Sequence, residues 1–289
     1  MKFFLSNCST KLAGFIELAR LEKHCETLFA DRLELDLSAC DWIDANMVAP
    51  LGAVLAKITD NLNDVSFINV PEKIRKILRK NEFLIHYGEA TLIDSYGTSM
   101  PYRRVDLNDE RYFASYLGKY TQNKGIPKMT PTLRRRFFES IGELYANAMM
   151  HSQSRLGVFV CGQHFPKKHC FDFCISDAGA GFEGSIFRAF GLKVDSMKAM
   201  QFCLTEGNTT KRHEPGGLGL KLLQRFIELN NGRIVIVSKA AYYEYSKGKD
   251  AFHRLDSPFP GTCIIIEINT ADTTSYQLRS ETPPNHTTP

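Results

Sequence analysis

The chain of 289 residues lacks any apolar run near the ~18–20 residues that cross a bilayer as a helix, so no membrane span is expected. Its opening Met1-Lys2-Phe3-Phe4-Leu5 is interrupted at Ser6-Asn7. That is short of the ~7–15-residue apolar core of a secretory signal and reads as a leading strand. A marked excess of one charge is also missing: 36 Lys and Arg stand against 32 Asp and Glu, a net charge of +4. This excludes the basic loading of a dedicated nucleic-acid binder, and no nucleic-acid partner is expected. Arg134-Arg135-Arg136, with no DNA-reading motif beside it, reads as a solvated helix face. The eight cysteines contain no CxxC pair, so reduced thiols in a cytoplasmic protein are expected. Cys170 and Cys174, with His164 and His169 nearby, have no such anchor for a metal and read as fillers of a buried strand. Neither GxxxxGK[ST] nor GxGxxG occurs, which excludes a Walker A loop and a dinucleotide fingerprint. No internal repeat is present.

What remains is an ordinary globular composition, 43% hydrophobic and 24% charged, at a length suited to two domains. Leu33-Glu34-Leu35-Asp36-Leu37 alternates with the period of a half-buried strand. Residues 47–58 have helical spacing, with Pro50 required in the first turn. Residues 65–70 form a second strand, and Pro71 opens a helix whose apolar face is Ile74, Ile77 and Leu78. A small α/β domain over 1–93 is expected. From 94 to 131 Gly97, Pro101, Asn108, Gly125 and Pro127 weaken the pattern, leaving a connector with one helix around 112–120. A second α/β domain spans 132–270, and a Thr/Ser/Pro-rich, disordered tail spans 271–289.

The chemistry lies in the second domain. Residues 132–152 form a helix on which Glu143, Asn147 and His151 are each four apart and share one stripe. The Asn147 amide oxygen suits Mg²⁺, and the Glu143 carboxylate suits a general base. A strand over 170–176 runs into Asp177-Ala178-Gly179-Ala180-Gly181, where alternate glycines leave room for a flat ligand and the carboxylate can accept from an exocyclic amine. Further on, Gly216-Gly217-Leu218-Gly219-Leu220 precedes an amphipathic helix over 221–229. A glycine-rich turn at a helix N-terminus exposes backbone N–H groups to anions. Gly261-Thr262 opens a β-branched strand.

In combination and order, these motifs closely resemble the GHKL ATPase superfamily, with its Bergerat nucleotide-binding fold, over about 132–268. The resemblance implies an α/β sandwich with a mixed sheet covered by helices, and ATP and Mg²⁺ as cofactors. It implies Asn147 as the Mg²⁺ ligand, Glu143 as the catalytic carboxylate, and Asp177 on the adenine amine with Gly179 and Gly181 shaping that pocket. It places the phosphates on the backbone of Gly216, Gly217, Leu218, Gly219 and Leu220, and Thr262 on the adenine side. Residues 184–215 would be the lid, from which Lys211 or Arg212 could neutralise phosphate charge. Histidine kinases of this superfamily carry Asn where Glu143 stands, and they need a phosphoacceptor His that neither His24 nor His86 provides here. The Glu therefore points to ATP hydrolysis or to Ser/Thr phosphorylation of the anti-sigma-factor-kinase kind.

The first domain, through residues 33–38, Asp41-Trp42-Ile43-Asp44-Ala45-Asn46-Met47 and the strand and helix that follow, resembles the STAS domains of anti-sigma-factor antagonists. It departs where that family carries a phosphorylatable Ser after the Asp, since here Ala45 and Asn46 follow Asp44. The resemblance implies a docking module that takes no phosphate, a STAS-type or other regulatory protein as partner, and signal transduction as the setting. Turnover coupled to a conformational or dimerisation cycle, self-association as a homodimer, and nucleotide sensing without catalysis stay open.

Overall fold

Three short parallel strands, each followed by a helix, begin the chain: β1 (Lys2–Phe4), α1 (Leu12–His24), β2 (Arg32–Asp36), α2 (Val48–Asp60), β3 (Asp64–Ile68) and α3 (Glu72–Lys80). Parallel neighbours cannot be joined by a tight turn, so a crossover helix must intervene each time. In this computed structural model, residues 1–106, 109–152, 155–205 and 218–281 are described, the side chains of 150–152, 218 and 219 excepted. Leu33 and Leu35 point from β2 into the core, as their alternation predicts. The helix α1 was not expected. Its Leu12, Phe15, Leu18, Ala19 and Leu21 keep helical spacing, but Lys11 is a poor cap and Gly14 weakens the first turn.

The second sheet has seven strands in the order β4-β5-β6-β10-β7-β8-β9. These are β4 (Ser99–Val105), β5 (Val158–Phe165), β6 (Cys170–Asp177), β7 (Arg233–Ser238), β8 (Ala241–Ser246), β9 (Lys249–Arg254) and β10 (Thr262–Asn269). The expected mixed sheet is not what forms, because every adjacent pair is antiparallel. The reason is topological: β6 and β7 run the same way, and β10 inserts between them, antiparallel to both. Both Lys247 and Gly248, between β8 and β9, have positive φ, as a two-residue hairpin turn with right-handed strand twist requires.

One face of this sheet is covered by α4 (Glu110–Tyr120), α5 (Pro131–Ser152), α6 (Gly181–Phe190), α7 (Ser196–Leu204) and α8 (Leu218–Asn230). Phe137 of α5 meets Phe226 of α8 edge-on, centroids 5.0 Å apart. The other face is covered by α1 and α2, so the molecule is layered sheet, helices, sheet, helices. Small inward residues make this possible: Cys161, Cys174 and Cys263 on the sheet lie opposite the Ala-rich α2. Phe15 of α1 packs on Tyr242 and Phe259.

The segment read as a connector is part of this architecture, since it supplies edge strand β4 and helix α4. Residues 271–281 of the expected disordered tail also dock. Tyr276 is buried, pairs with Met129 and packs on Phe226, and Glu281 accepts a 2.7 Å hydrogen bond from Thr130 Oγ1. The rest of that tail, 282–289, lies outside the described residues. No helix among the described residues is long and apolar enough to cross a membrane.

Candidate functional site

Asp177 is the last residue of β6 and faces Val158, the first of β5. The β10 strand starts beside it, with Cys263 opposite Ser176 and Thr262 opposite Ser238 at the end of β7. The last turn of α5 feeds into β5 at this end. The α8 helix descends into β7, so its N-terminal turn stands at this end too. Asp177, Thr262 and the start of α8 thus stand at one end of the strands, the end at which α5 finishes.

The Asp177 side chain is 3% exposed. Its Oδ1 accepts from the Gly179 N–H at 2.8 Å, the self-bonded turn that Asp favours. The Thr262 N–H also donates to this carboxyl. Burial nevertheless wins and raises its pKa to about 6, against the opposing pull of those two donors and Lys239. Gly261 is required by close approach, since a Cβ there would stand 2.3 Å from the Asp177 carbonyl oxygen and 2.5 Å from its carboxyl. Gly181 has φ +69°, and a Cβ there would lie 2.9 Å from Lys239. Gly261 therefore packs its backbone directly on Asp177, and Gly181 packs on Lys239 and Ser238.

Two residues of this end escaped the sequence reading. Ser238 Oγ lies 3.1 Å from Thr262 Oγ1 and accepts from the Phe182 N–H at 2.9 Å. Lys239 Nζ donates to the carbonyls of Gly179 at 2.7 Å and Pro260 at 2.5 Å, which pins the glycine turn to the β10 entry. Burial lowers the Lys239 pKa. A Ser-Lys pair at a strand end carries no motif, so only the fold reveals it.

Glu143 and Asn147 sit on α5, both half-buried and one turn apart. Glu143 borders a groove of about 640 Å³ between α4 and α5, lined mainly by apolar side chains such as Phe113, Leu117, Phe138 and Tyr145. Phe113 and Tyr145 stack there with centroids 4.1 Å apart. The groove lining includes neither Asp177 nor Thr262. Of the glycine-rich segment, Leu218, Gly219 and Leu220 form the first turn of α8, three residues earlier than the expected helix start. The backbone N–H groups of a first turn have no intrahelical acceptor and are free for an anion. Lys211, Arg212, Gly216 and Gly217 lie outside the described residues.

The donors these elements offer are a buried carboxyl at Asp177, the N-terminal turn of α8 and an amide oxygen at Asn147, of which the amide oxygen is of the kind a hard cation takes. No protein-family model matches the chain, and no curated protein matches it.

Proposed function

We propose that the chain is a Mg-ATP-binding regulatory protein of the GHKL kind, whose Bergerat-like domain hydrolyses ATP or phosphorylates Ser/Thr on a STAS-type partner. What supports this reading is Asp177, Gly261 and Thr262 side by side at one end of the seven-stranded sheet, the end from which α8 runs down to β7. Asp177 would accept from the adenine amine, with Thr262 beside it, and the α8 N–H groups would hold the phosphates. Asn147 would ligate Mg²⁺, which supplies charge neutralisation at the phosphates when bound. Glu143 would orient the attacking water or hydroxyl.

The STAS-like reading of the first unit takes a specific form. Ala45, Asn46 and Met47, where a phospho-switch would lie, are all buried, and the Ala45 carbonyl accepts from Cys161 Sγ of the second sheet at 3.3 Å. The unit would thus dock in cis, on its own ATP-binding domain. A second reading, nucleotide sensing without turnover, is favoured by the position of Glu143 on the α4–α5 groove.

Incubation with Mg-ATP separates these readings: phosphate released to solvent marks an ATPase, phosphate on an added STAS-type protein a kinase, and binding with neither a sensor. The variant Asn147→Ala is expected to abolish the Mg²⁺-dependent part of ATP affinity and to leave Mg²⁺-free ATP binding unchanged. Calorimetry with and without Mg²⁺ reads both, and an unchanged Mg²⁺ dependence would remove Asn147 from the ligand set.

A further inference from the structure

The opposite end of the same sheet holds a polar cavity, of about 280 Å³, closed on one side by Thr10 and Asp44 of the first unit. Its other wall is Cys170 and Asp172 of β6, Arg233 of β7 and Glu267 of β10. The strand register explains the grouping. Residues 170 and 172 are two apart and share a face, and Glu267 lies directly across from Asp172 on the neighbouring strand. Two carboxylates opposed in this way repel. The Cys170 Sγ and one oxygen each of Asp172 and Glu267 lie within 4.8 Å of one another.

The cluster has an unmet demand. Asp172 is 4% exposed and its Oδ1 has no hydrogen-bond partner among the described residues. Native proteins rarely leave such an atom unpaired. Arg233 does not meet the demand, because its guanidinium is committed elsewhere. Nη2 lies 2.9 Å from Glu267 Oε2, and Nη1 donates to the Thr10 carbonyl at 2.7 Å. A cation placed among the three donors would meet it.

We propose that Cys170, Asp172 and Glu267 bind a divalent transition metal of the zinc type. The thiolate excludes Mg²⁺ and Ca²⁺, which take oxygen ligands, while one sulfur with two carboxylates suits Zn²⁺ with solvent completing a four-coordinate shell. A thiolate and two carboxylates set three negative charges against one dication, in a cavity that Lys11, Asp44, Lys168 and Arg233 also line. On binding, two carboxylate oxygens and one sulfur form bonds to the metal, and the Cys170 thiol proton, with any proton held by the Asp172 carboxyl, leaves to solvent. Neither His164 nor His169 belongs to the cluster. The metal would clip β6 to β10 beneath the first unit, far along the strands from Asp177.

The test is titration of the chelator-treated full chain with Co²⁺. The expected result is one Co²⁺ per chain, a thiolate-to-cobalt charge-transfer absorption, and displacement by one equivalent of Zn²⁺. Cys170→Ser should remove the charge-transfer band, and Asp172→Asn should weaken Co²⁺ binding by more than ~100-fold, beyond the ~10–100-fold that loss of an outer-shell partner costs. Asp172→Asn is nearly isosteric and removes a buried charge, so its metal-free melting temperature should not fall. The absence of a charge-transfer band in the unsubstituted protein would overturn the proposal, and so would a band that survives Cys170→Ser.

Discussion

Asp177→Asn is expected to lower ATP affinity by about 10–100-fold and to abolish the fall in stability between about pH 4 and 6. The affinity loss follows from donors and acceptors. The Asn amide has one acceptor, which either keeps the Gly179 N–H or faces the adenine amine, so one donor is left against another. A buried donor left unpaired costs about 1–3 kcal/mol. The pH dependence follows from linkage. The folded pKa of about 6 exceeds the ordinary carboxyl value of ~3.9, so between those pH values the native state holds a proton that the unfolded chain has released. Stability from this group therefore falls as pH rises from about 4 to 6 and stays lowered above, by on the order of 3 kcal/mol. An amide does not ionise, so the variant should lose this pH dependence. Thermal melts from pH 4 to 8 and ATP calorimetry measure both effects. A variant with ATP affinity intact would show a carboxyl that serves the fold alone.

Glu143→Ala is expected to reduce phosphate transfer or release by about 10²–10⁴-fold, the range for loss of a general base, with ATP affinity unchanged. The separation arises because Glu143 would act on the attacking group, whereas Asp177 and the α8 turn would hold the nucleotide. Its place at the border of the α4–α5 groove makes the measurement decisive. Single-turnover assays under saturating Mg-ATP resolve the chemical step from binding. Turnover at the parental rate would remove Glu143 from catalysis.

Parts of the architecture can be read directly from the residues. The spacing of Phe137, Ile141, Leu144, Tyr145 and Ala148 predicts α5, and the alternation at Leu33 and Leu35 predicts β2, because burial imposes those periods. The Asp-x-Gly turn was legible because Asp177 bonds its own backbone two residues on. Other features depend on distant chain and leave no local signal. β4 is an irregular edge strand with a register shift between Met100 and Arg103, so its pattern is blurred. The tail holds a single large anchor, Tyr276, among polar residues, and its docking depends on Phe226. The antiparallel character of the sheet is set by where β10 inserts, which no stretch of sequence encodes alone. Lys239 gains its role only when β7 brings it beneath Gly179. The cavity at Cys170 likewise needs two strands in register and the first unit laid over them.

The most direct test of the account is titration calorimetry of the full chain with ATP and GTP, each with and without Mg²⁺. Adenine presents an amine where guanine presents a carbonyl oxygen, and Asp177 offers an acceptor to that position. The predicted result is one ATP per chain, bound more tightly with Mg²⁺, and GTP at least about 10-fold weaker. Equal affinity for the two nucleotides, or no binding of ATP, would contradict a purine site at Asp177.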